Sequence, residues 1–164
     1  MGRMDDLRSL LADARDRLRG IPREGLGQLR EPGRLRGALG ARPRIVRVGE
    51  GWHLGVLLLT GDGLIATGEI LRAAEEVRRG YAAESQRRRA ELRAMAFRGG
   101  FAEGETLHLG WSAIDVDAVA DGGADGPLSW QDGVLSVRWS PAGFLRPLAP
   151  YLDEQIDLLT APRT

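Results

Sequence analysis

The chain contains no cysteine, no lysine and no asparagine, and only two histidines. Without cysteine there is no disulfide, no thiol nucleophile and no thiolate metal site. Without lysine there is no Gly-x-x-x-x-Gly-Lys phosphate loop and no Ser-x-x-Lys nucleophile. No Gly-x-Ser-x-Gly elbow surrounds Ser9, Ser85, Ser112, Ser129, Ser136 or Ser140. Long apolar runs are missing as well. Val56-Leu57-Leu58-Leu59 falls far short of the roughly 20 residues of a membrane span. The N-terminal leucines are spaced by polar residues rather than fused into an apolar leader core. A cytoplasmic protein with no membrane partner is the expectation.

Net charge is absent too, because 23 arginines balance 23 acids. The balance fails within each half. Residues 1–100 hold 20 arginines against 13 acids, and residues 101–164 hold 3 against 10, giving +7 and −7. A guanidinium fork meets carboxylate or phosphate in a fixed planar geometry, so the basic half is built to meet anions. The excess of Arg, Ala and Gly over Lys and Asn is accounted for by GC-rich codon use. Nucleic-acid binding needs a basic face clear of acid, and here acids accompany the arginines, so nucleic acid ranks last as a partner. Self-association through complementary halves ranks first.

The periodicity places an amphipathic helix over residues 5–19, with Leu7, Leu10, Leu11, Ala14 and Leu18 on one stripe. Its polar face mixes both charge signs, which favours docking on its own domain over a membrane. Residues 20–43 are dense in Gly, Pro and Arg and read as a linker with a short turn at 34–38. Residues 1–43 are therefore expected to be an N-terminal helix and linker, and 44–164 the core of one globular unit. Strands are predicted over 44–49, 52–60 and 64–71, as a meander whose last turn is Asp62-Gly63. A helix follows over 75–98, interrupted at Gly80 and closed by Gly99-Gly100. Then come a strand over 106–111, an acidic loop over 114–126, a hairpin across Asp132-Gly133, and a last helix opening at Pro150. The predicted fold class is α+β: an antiparallel sheet of about six strands, packed by one long arginine-rich helix and by terminal helices.

Three groups of residues invite a chemical reading. On the long helix, a stripe through Val77, Tyr81, Arg88, Leu92 and Met95 puts Arg88 on the face expected to pack on the sheet. An unpaired charge there is costly, so Arg88 is expected to pair with Glu84 or an acid of the C-terminal half. The functional reading is an anchor for a small anionic ligand, assisted by Tyr81, Glu84 and Trp111. His108, with Glu105 three residues before it, is the candidate general base, although a lone strand histidine is more often structural. His53 and His108 lack the spacing of a metal pair, and the intervals of Asp115, Asp117, Asp121 and Asp125 do not fit a calcium loop. No metal and no cofactor is expected. Trp52, Trp111, Trp130 and Trp139 all fall on or beside predicted strands, as core and rim packing or as the floor of a pocket.

The runs Gly-Tyr-Ala-Ala-Glu-Ser-Gln-Arg-Arg-Arg-Ala at 80–90, Arg-Gly-Gly-Phe-Ala-Glu-Gly-Glu-Thr at 98–106 and Arg-Trp-Ser-Pro-Ala-Gly at 138–143 resemble a family of small uncharacterised proteins from high-GC actinobacteria. The resemblance spans most of the chain and implies no established activity. The expected function is a non-catalytic binding or assembly module, homodimeric in the cytoplasm. The alternative is a small hydrolase or anionic-ligand-binding enzyme with a pocket around His108, Glu105 and Arg88.

Overall fold

The computed structural model describes residues 2–76, 80 and 82–163. In chain order the elements are α1 (Gly2–Arg17), β1 (Glu24–Arg30), α2 (Arg34–Ala38), β2 (Arg44–Leu54), β3 (Leu57–Leu59), β4 (Leu64–Ala66), β5 (Glu69–Arg72), α3 (Glu84–Arg98), β6 (Thr106–Leu109), β7 (Ser112–Ala113), α4 (Val116–Ala120), β8 (Leu128–Gln131), β9 (Val134–Arg138), β10 (Leu145–Pro147) and α5 (Leu148–Thr160). The α+β class holds. The antiparallel sheet of six strands is matched only in part, because the described residues form ten strands and β1 runs parallel to β6.

The chain divides into two compact units, each with its own apolar core. One comprises Met1–Arg23, Gly51–Thr67 and Ser112–Thr164. Here β2, β3, β4 and β7 lie side by side, all antiparallel, and a second sheet has the order β10-β9-β8. All three residues of β3 are buried, as befits a strand covered on both faces. Leu7, Leu11, Ala14 and Leu18 of the α1 stripe join Leu148, Tyr151, Leu152 and Ile156 of α5 in the core. The hairpin at Asp132-Gly133 forms as expected, with φ of 50° and 79° at its two central residues, the combination that suits strand twist.

The predicted strand over 52–60 does not form as one piece. The chain reverses at Gly55, where φ is +67° and an added Cβ would stand 2.0 Å from the Tyr151 hydroxyl. That hydroxyl donates to the Leu54 carbonyl at 3.0 Å and accepts from the Val56 amide at 2.9 Å. The turn is thus made by a side chain about 95 residues away in sequence, which local pattern does not reveal.

The other unit comprises Glu24–Glu50 and Gly68–Trp111, with strand order β5-β6-β1-β2. Its β1 lies where a linker was expected. Gly25 and Gly27 alternate with Leu26 and Gln28, and the glycines face a crowded layer. A Cβ on Gly25 would stand 2.6 Å from Arg47 and Phe101 atoms, and one on Gly27 would stand 2.7 Å from Ile45. The glycines that read as breakers are strand residues whose side-chain space is taken by neighbours. Helix α3 packs only its second half, through Leu92 and Ala96 with partly buried Met95, against Ile45, Leu71, Ala73, Phe101 and Leu107. Gly99 closes it against β2, where any Cβ would strike the Ile45 carbonyl. The predicted start of this helix at 75 is not met: Glu75 and Glu76 are not helical, and Val77 lies outside the described residues.

Candidate functional site

The parallel register of β1 and β6 sets Leu26 beside His108, and Glu24, two residues earlier, shares the face of Leu26. The Glu24 carboxylate lies 2.5 Å from His108 Nε2. A carboxylate only accepts, so this pairing assigns the proton to Nε2 and fixes the ring. The His108 side chain is 0% exposed, while Glu24 keeps a third of its side-chain surface. A ring with no accessible surface is not placed to take a proton from a substrate. Glu24 was missed by the sequence reading because it opens a glycine-rich stretch taken as linker. The signal available was the alternation Glu24, Leu26, Gln28.

Glu105, expected beside His108, faces elsewhere. It pairs with Arg47 and accepts from the Ala102 amide at 3.1 Å. Burial pushes its carboxyl up, but the Arg47 guanidinium and the Ala102 amide outweigh this and hold it below the usual carboxylate range. The Arg47 Cζ stands over Phe101, 4.7 Å from the ring centroid, on the strip left open by Gly25. This cluster is an internal clamp between β2 and the loop ahead of β6.

Arg88 is not buried. Its side chain is 66% exposed and reaches Glu69 at 3.5 Å, not Glu84. Every residue of α3 from Glu84 to Glu91 is exposed, so the stripe that placed Arg88 inward is wrong for this half of the helix. Glu84 sits in the first turn, and Tyr81 lies outside the described residues. Beside α3 is a cavity of about 660 Å³. Its described walls carry Arg42, Arg87, Arg89 and Arg93 against Glu75, Glu76, Glu91 and Glu103, and include none of Glu84, Arg88, His108 or Trp111. Arg42 is paired with Glu76 at 3.0 Å, and Arg93 donates to the Arg72 carbonyl at 2.8 Å.

The tryptophans do not floor a pocket together. Trp52, Trp111 and Trp130 donate to the carbonyls of Ile21, Gly27 and Val119 respectively, at 2.8–3.0 Å. Trp139 is exposed, stacked on Phe144 with centroids 6.4 Å apart. In the acidic segment, Asp115 caps α4 by accepting from Ala118, Asp125 accepts from the Asp115 amide, and Asp117 pairs with Arg8. These acids are structural partners, and the segment expected as a loop contains a helix.

What the described surface does offer is apolar side chains in solvent. Leu35 and Leu39 on the arm between β1 and β2 are 82% and 85% exposed. Phe144 and Leu158 are 64% and 68% exposed. No helix among the described residues is long and apolar enough to cross a membrane. The chain matches no protein-family model, no curated protein and no solved structure.

Proposed function

We propose that this chain is a non-catalytic assembly module that associates with itself, as a homodimer in the cytoplasm. The observation that carries this reading is the division of charge between the two compact units. The unit built from Glu24–Glu50 and Gly68–Trp111 holds 14 arginines and 10 acids, a net +4, and the other holds 9 arginines and 13 acids, a net −4. Ion pairs inside each unit, such as Arg17 with Asp153 and Arg42 with Glu76, do not remove this imbalance. Each unit also presents exposed large apolar residues, which an interface would take out of water. Opposite patches on identical chains steer one copy to another. Light scattering along a salt series tests it. The mass per particle falls as salt rises from about 0.05 to about 0.5 M, where screening shortens to a few ångströms. A mass insensitive to salt contradicts the role given to charge.

A second reading, a site for a small anionic ligand, is favoured by the four arginines of the α3 cavity. The enzyme version around His108, Glu105 and Arg88 has less support, since these three side chains engage Glu24, Arg47 and Glu69 respectively. A thermal melt with millimolar inorganic phosphate tests ligand binding: an unchanged midpoint removes this reading, and a rise that Arg89→Ala abolishes promotes it.

A further inference from the structure

Strand β5 ends the strand order of its unit, and among the described residues no strand pairs with its other side. An open edge shows a row of backbone amides and carbonyls to any strand that arrives. Alternation decides which groups are open. The Ala73 amide donates to the Glu105 carbonyl at 2.9 Å, so Leu71 and Glu69, in steps of two, also turn to β6. Ile70 and Arg72 therefore turn outward. Their carbonyls are covered by α3. Arg89 donates to the Ile70 carbonyl at 3.2 Å, and Arg93 to the Arg72 carbonyl at 2.8 Å.

The two elements match in spacing. Four helical residues rise about 6 Å and two strand residues about 6.8 Å, so arginines four apart on α3 meet carbonyls two apart on β5. In an isolated helix that arginine spacing is unfavourable, because like charges four apart repel. Here both guanidiniums are engaged on the edge. The contact continues around them. Arg88 and Arg89 reach Glu69 at 3.5 and 3.7 Å, and the Ala74 amide donates to the Arg93 carbonyl at 3.2 Å. The residues of α3 from Glu84 to Glu91 are all exposed, so this half of the helix is held to the strand by arginine side chains rather than by apolar burial.

We propose that Arg89 and Arg93 guard the open edge of β5: they stand in for a neighbouring strand and keep that edge from pairing with β5 of a second copy. A second copy is the strand excluded, because two antiparallel β5 edges offer each other the same groups, Ile70 opposite Arg72 and the reverse. A guanidinium only donates, so it covers the carbonyls and does nothing for the outward amides of the same residues. Those amides report the state of the edge. The guard is independent of the charge-driven self-association proposed above, and high salt separates the two.

The test compares the full-length parent with Arg89→Ala/Arg93→Ala and with Arg87→Ala/Arg88→Ala. The second pair is a control: Arg87 donates to the Ala82 carbonyl and Arg88 reaches the Glu69 side chain, so the same charge leaves the same helix without uncovering the edge. All are run in about 0.5 M salt, where screening disperses charge-driven contacts. Sedimentation velocity is expected to show the edge variant at about twice the parent's mass or more, and the control at the parent's mass. Exchange of the Ile70 and Arg72 amides is expected to slow at least tenfold in the assembled edge variant, because a partner strand takes up those donors. Adding Ile70→Pro removes one outward donor and is expected to return the edge variant to the parent's mass. Circular dichroism melts check folding. Arg89→Ala alone, at an exposed side chain, uncovers the Ile70 carbonyl and is read in the same way if the double variant unfolds. An edge variant at the parent's mass, a control that assembles equally well, or assembly that leaves exchange at Ile70 and Arg72 unchanged overturns the guard. If the parent itself stays associated in high salt, the charge reading falls, and the guard is still judged on the added mass and the slowed exchange.

Discussion

Tyr151 reaches from α5 to the turn at Gly55, where one hydroxyl serves two backbone groups at once, the Leu54 carbonyl and the Val56 amide. Removing it leaves both without that partner in a buried place. Tyr151→Phe is expected to cost about 1–3 kcal/mol in urea unfolding, the usual penalty for stranded buried polar groups. Gly55→Ala is expected to cost more, since it adds left-handed strain to a Cβ placed against that hydroxyl. An unchanged Tyr151→Phe midpoint would show that the turn holds without the clamp. Glu105 gives a pH-dependent counterpart. Its carboxyl is depressed in the fold, so the stability it contributes is present above its unfolded value near about 4.3 and is lost as pH falls through the lower folded value. Glu105→Gln should melt lower than the parent at neutral pH, and its melting temperature should fall less steeply below about pH 5. Parallel curves for the two proteins would remove Arg47–Glu105 as a stabilising pair.

Among the elements, α3 shows how much a stripe can mislead. The pattern Leu92, Met95, Ala96 correctly marks the packed half, and Gly99-Gly100 correctly marks the stop. Extending the same stripe back through Arg88 failed because burial of α3 begins only at Leu92; the turns before it stay exposed and reach β5 through arginine side chains, Arg88 to Glu69 and Arg89 to the Ile70 carbonyl. Arg88→Met is therefore expected to change stability by no more than about 0.5 kcal/mol, as for an exposed ion pair. Arg98→Met is the contrast. Arg98 donates to the Pro43 carbonyl at 2.9 Å and reaches Glu76 at 3.8 Å, joining the end of α3 to the approach to β2. Its loss is expected to cost about 1–2 kcal/mol. Equal melts for the two variants would contradict this division of the helix. The same lesson holds for β1. Its strand character showed only in the alternation Glu24, Leu26, Gln28, because Gly25 and Gly27 have no side chain to signal the other face; Ile45, Arg47, Phe101 and Leu107 fill the space above them. His108 was legible as unusual, but its partner Glu24 was not, since the pairing exists only once β1 lies parallel to β6.

For the molecule as a whole, the opposite charges of the chain's ends were legible from the start. The +4 and −4 of the compact units restate that split in three dimensions, smaller because each unit draws on separated stretches of sequence. The hairpins at 60–63 and 132–133 and the two terminal helices also followed from local pattern. The parallel pairing, the reversal at Gly55 and the division into two cores did not, since each depends on residues brought together from distant positions. The proposed self-association draws on the same charge split and on exposed Leu35, Leu39 and Leu158. Sedimentation equilibrium of the full chain in low-salt buffer at neutral pH tests it most directly. The account predicts a mass near twice the 17.8 kDa of one chain, declining toward that value on dilution. A single species at 17.8 kDa across the whole concentration range would contradict it.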